Sequence, residues 1–115
     1  MDNWSIPALV LSFGFSLQEK PLWEELKKEW EKRGGRSLIL WKTLEEELNR
    51  EMKEEVPGSS CVLKHMHFQE GLERPKIEVC ASIHGWKAFD GSLDLIALRA
   101  MRKAMAAVQA VPSGA

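Results

Sequence analysis

The sequence predicts an α+β fold. It reads as a two-layer sandwich in the order β-α-(β)-α-β-β-α, with helices on one face of a three- or four-stranded, mostly antiparallel sheet. Three observations carry this. Residues 21–33 and 93–108 place apolar side chains at helical spacing. Residues 61–69 and 76–86 are two strand-like runs joined by a six-residue loop, and the second alternates apolar with polar. The 115 residues make one domain's length of chain, which should bury roughly two-thirds of its unfolded surface.

Residues 6–15 read IPALVLSFGF, an apolar and partly β-branched run that predicts a buried strand, weakened near its end by Gly14. Residues 21–33 begin on Pro21, whose missing N–H suits the first helical position. Leu22, Trp23, Leu26 and Trp30 form the apolar stripe, which predicts core positions for Trp23 and Trp30. Glu24–Lys28, Lys27–Glu31 and Glu29–Arg33 are opposite-charge pairs one turn apart. Gly34 suits the left-handed position that stops the helix.

Residues 37–56 permit two readings. In the favoured one, Leu38-Ile39-Leu40-Trp41 is a short buried strand, and Thr43 with Glu46 forms a capping box that starts a helix at Leu44. In the other, one helix runs from Leu38. Leu44, Leu48 and Met52 share a face in both. Residues 93–108 form the last helix, with Ser92 as N-cap and Asp94 in the positive first turn. Leu95, Leu98, Met101, Met105 and Val108 are its expected buried stripe. Residues 1–111 read as a single domain and 112–115 as a frayed tail.

Composition narrows the function. A formal net charge of −1 argues against binding nucleic acid through bulk charge. No apolar run approaches the ~18 residues that a membrane span needs. The acidic start Met1-Asp2-Asn3-Trp4 does not resemble a secretory signal, so a cytoplasmic location and free thiols at Cys61 and Cys80 are expected. No nucleophile elbow and no phosphate-loop spacing is present, which favours a non-enzymatic reading.

The order of elements through Trp86 resembles that of Alba-like nucleic-acid-binding folds. Residues 76–108 also look like the end of ribosome-hibernation factors. Both resemblances imply a nucleic-acid or ribosome-associated module. Arg99, Arg102 and Lys103 lie close together on the last helix as a candidate basic patch. Lys64, Arg74 and Lys76 would add to it from the hairpin.

The hairpin offers the sharpest constellation. Centred between Gln69 and Lys76, it sets His67 opposite Glu78, His65 opposite Cys80, Leu63 opposite Ser82 and Cys61 opposite His84. Phe68, Met66 and Val62 then fall on the other face with Ile77, Val79 and Ile83. His65, His67, Cys80 and Glu78 are transition-metal ligand types, and Zn²⁺ is the ion they would suit. Cys61, Leu63, Ser82, His84 and, by parity, Trp86 would complete an interface or small-molecule ligand face. The leading expectation is a small interaction protein that forms homodimers through this open sheet face. A nucleic-acid module and a metal-binding protein are the alternatives.

Overall fold

A computed structural model describes residues 8–32, 38–70, 74–89 and 91–110. The order is β1 (Ala8–Gly14), α1 (Lys20–Glu31), α2 (Leu38–Glu55), β2 (Ser60–Glu70), β3 (Pro75–His84), a 3₁₀ turn at Trp86–Phe89 and α3 (Leu93–Gln109). The expected start of the first strand at residues 6–7, the Gly34 helix stop and the 112–115 tail lie outside the described residues. Among the described residues the sheet has three antiparallel strands in the order β1-β3-β2, and the helices pack on one side of it.

Residues 38–41 are helical, not a strand. Among the described residues the sheet therefore has no fourth strand, and the topological likeness to Alba-like folds does not hold. The physical reason is a row at four-residue spacing. Leu40, Leu44, Leu48 and Met52 are all buried on one side of α2, and Leu40 joins this row only if the helix starts before it. Thr43 then lies inside the helix, where it cannot cap. A reciprocal cap does occur at Ser16 and Glu19, just before α1. Ser16 N–H donates to Glu19 Oε1 at 2.9 Å, and Glu19 N–H donates to Ser16 Oγ at 3.3 Å.

In α1, Trp23 and Leu26 are buried. Trp23 Nε1 donates to the Lys76 carbonyl at 3.0 Å, which ties the helix to the central strand. Trp30 is half-buried and stacks on Trp41 of α2, ring centres 5.6 Å apart. In α3 the buried stripe is Ile96, Ala97, Ala100, Met101, Ala104 and Met105, so the helix is turned from its expected face. Leu95 is exposed, and Leu98 and Val108 are half-buried. Buried alanines leave α3 a smooth surface against α2, and the larger leucines are displaced to its flanks. Ser92 stands at the N-cap position but does not cap. Its Oγ lies 2.6 Å from Glu55 Oε2 and 2.7 Å from the Phe89 carbonyl, so its one proton is shared between two acceptors away from the helix amides.

Helix α2 also closes one sheet edge. Asn49 Nδ2 donates to the Cys61 carbonyl and accepts from Cys61 N–H at Oδ1, each at 2.9 Å. Leu63 N–H donates to Glu45 Oε2 at 2.8 Å. Side chains thus bond the outward backbone of β2 where another strand would otherwise sit.

Candidate functional site

The helix-free face of the sheet is the candidate site, and register decides who stands on it. From His65 to Glu70 the hairpin pairs as expected: His65 with Cys80, Met66 with Val79, His67 with Glu78, Phe68 with Ile77. Between Leu63 and His65 the register shifts by one, and Lys64 is the extra residue of a β-bulge. Below it, Leu63 pairs with Ala81, Val62 with Ser82, Cys61 with Ile83 and Ser60 with His84.

The bulge corrects part of the expected face. Cys61 and Leu63 are core residues, each 4% exposed. Val62 takes their place outside, 51% exposed. Burial, helped by the charge of Glu45, pushes the Cys61 thiol up to about 12, which disfavours the thiolate that a metal or an electrophile needs. The signal was in the spacing. Cys61 and Leu63 are two apart, and so are Met66 and Phe68, but Leu63 and Met66 are three apart. One extra residue lets all four point inward.

Trp86 also departs from expectation. Gly85 adopts φ 82° and ends β3 at His84, so strand parity no longer places Trp86. It begins the 3₁₀ turn, 38% exposed, with Lys87 Nζ 5.7 Å from the ring centre.

Strand β1 supplies the residues that hairpin reasoning missed. It pairs Val10 with Cys80, Ser12 with Glu78 and Ala8 with Ser82. Val10 is 68% exposed. The central strand therefore runs Ser82, Cys80, Glu78 down the middle of the face. Val62 and Val10 flank its upper part, and His65, His67 and Ser12 flank its lower part.

The four expected metal-ligand residues do share this face, in two directly opposed pairs. Opposed Cβ atoms in such pairs are about 5 Å apart. The rings of His65 and His67 lie nearly parallel, centres 6.4 Å apart. Among the described residues, however, no three His, Cys, Asp or Glu side chains gather where one cation would bind them all. His84, opposite Ser60, stands at the far end of the strand.

The basic patch on α3 is engaged by carboxylates. Arg99 Nε donates to Glu51 Oε1 at 3.1 Å, and Lys103 Nζ donates to Glu51 Oε2. Arg102 lies 3.7 Å from Glu19 Oε2. Glu51 is buried, and the bonds from Lys103 and then Arg99 hold its carboxyl below the usual range. The same contact raises Lys103. These cations clamp α3 to α2 and to the start of α1, which leaves less of their charge for a phosphate backbone. No helix among the described residues is long and apolar enough to cross a membrane. No protein-family model, curated protein or solved structure matches the chain, so its site is known only by its own geometry.

Proposed function

We propose that the chain is a non-enzymatic interaction protein that self-associates through the helix-free face of its sheet. One observation carries the reading. The helices cover one side, while the other exposes Val10 and Val62, 68% and 51% accessible, around the neutral centre of Cys80 and Ser82. Exposed branched residues on a sheet face favour burial against a like surface. The occupant is a second copy, because the face has charge of both signs. Glu78 stands between His67 and Ser12, with Lys76 at the next position on the same side, so a two-fold stack can set carboxylate against cation.

Static light scattering at tens of micromolar tests this. The expected mass exceeds that of the monomer, and Val62→Glu lowers it. A strictly monomeric wild type overturns the reading.

The opposed pairs His65–Cys80 and His67–Glu78 favour a second reading, in which side-chain rotation brings those four residues onto one Zn²⁺. Zn²⁺ added after EDTA stripping should then raise the melting temperature, and His65→Ala should abolish the rise. An unchanged melt overturns it.

A further inference from the structure

The two outer edges of the sheet are built differently. On β2, Asn49 and Glu45 bond the outward backbone of Cys61 and Leu63, and the bulge at Lys64 bends the strand beyond them. Lys64, His65, His67 and Glu70 add polar and charged groups along the rest of that strand. Among the described residues, strand β1 has none of these devices. Ala8–Gly14 contains no proline and no charged residue, and its register against β3 is regular throughout. Phe15 N–H donates to the Pro75 carbonyl at 2.9 Å. Antiparallel alternation then turns the backbone groups of Leu9, Leu11 and Phe13 toward β3, and those of Ala8, Val10, Ser12 and Gly14 out of the sheet. An uncharged edge with outward donors and acceptors accepts one more strand.

This edge also complements itself. A second β1, antiparallel about a two-fold axis at Leu11, sets Val10 opposite Ser12, Ala8 opposite Gly14 and Leu9 opposite Phe13. The outward-bonding residues then meet one another, and each such pair exchanges two N–H···O bonds. Side chains keep their faces. Leu9, Leu11 and Phe13 of both copies stay on the helix side, where Leu9 and Leu11 are only half-buried in the single chain.

We infer that a second copy adds its β1 to this one, antiparallel and centred on Leu11, so that two chains share a continuous six-stranded sheet. The inference rests on the proposed self-association and supplies area that the face alone lacks. Strands of 7, 11 and 10 residues present a face of at most roughly 14 Å by 30 Å, about 400 Å², against ~800 Å² per partner in a typical stable interface. Joining two sheets at their edges doubles that face. With both contacts formed, the assembly is a tetramer with perpendicular two-fold axes.

The test is light scattering on four proteins at tens of micromolar: wild type, Ser12→Pro, Val62→Glu and the double variant. Ser12→Pro removes an outward N–H that β3 does not use, so the internal ladder survives while a new strand is blocked. The expected series is tetramer, a weak dimer in exchange with monomer, dimer, monomer. Ser12→Pro at the wild-type mass overturns the edge pairing and leaves the face reading intact. Val62→Glu at the wild-type mass, with Ser12→Pro reduced, overturns the face reading and upholds the edge. A monomeric wild type overturns both and leaves the edge to a strand of some other protein. Hydrogen exchange on the unmodified chain guards against a misfolded variant. The Val10 and Ser12 amides should slow as concentration and mass rise together, and fast exchange in the assembled state overturns the pairing.

Discussion

The central strand β3 separates two environments within one residue's step. Its odd positions, Ile77, Val79, Ala81 and Ile83, are all buried beneath the helices. Its even positions, Glu78, Cys80, Ser82 and His84, face the other way and keep contact with solvent. Backbone geometry is the same on both sides. What differs is the layer above, so a residue's energetic weight here is set by its parity. The same contrast separates the two cysteines, Cys61 inside and Cys80 outside.

The thiols give the largest expected difference. A thiol raised to about 12 is ionised to about one part in ten thousand at pH 8. Burial shields it further. At concentrations where the monomer dominates, an exposed-thiol reagent should label one cysteine per native chain and two per chain in denaturant. Cys80→Ala should abolish the native labelling, and Cys61→Ala should not. Two fast-reacting thiols in the native state would contradict the bulged register.

Stability comes next. Ile77→Ala deletes a fully buried side chain at the middle of the core and should cost about 2–5 kcal/mol in a urea titration. Val62→Thr keeps the branched shape on the free face and should stay within about 0.5 kcal/mol, measured where the monomer dominates. Equal costs would mean that the free face is covered within the single chain.

The smallest effect belongs to the helix layer. Glu51 has its carboxyl lowered by Lys103 and Arg99, so it contributes stability that is fully present above its ordinary value of 4.5. That contribution is lost as pH falls through the lowered folded value. The urea midpoint should therefore begin to drop as pH falls below about 5. Glu51→Gln should flatten the drop. An identical acid limb in the variant would show that other carboxylates govern it.

Most of this architecture was legible in the chain. Pro21, the apolar stripes and the alternation of residues 77–83 located two helices and the hairpin. Beside the turned face of α3, two readings failed where apolar residues are not all buried together. Leu38-Ile39-Leu40-Trp41 looks like a strand because four apolar residues are consecutive. In the helix only Leu40 is fully buried, Trp41 stacks on Trp30, and Leu38 and Ile39 remain 73% and 44% exposed. The hairpin was right on one side of Lys64 and inverted on the other, because period two cannot represent an extra residue. The free face was therefore found with half its lower rim correct and its valines missing. Val10 was out of reach, since local pattern does not say which strand lies beside β3.

The stack of Trp30 on Trp41 has a consequence in optics. The chain has five tryptophans and no tyrosine, so its near-ultraviolet signal comes largely from indole. Two of these rings sit 5.6 Å apart and 28° from parallel, one on α1 and one on α2. Transition dipoles that close couple, and the coupling decays steeply as the rings part. The pair is thus a built-in ruler for the docking of α1 on α2. It lies away from the helix-free face, so the signal separates loosening of the helix layer from events on the open side of the sheet.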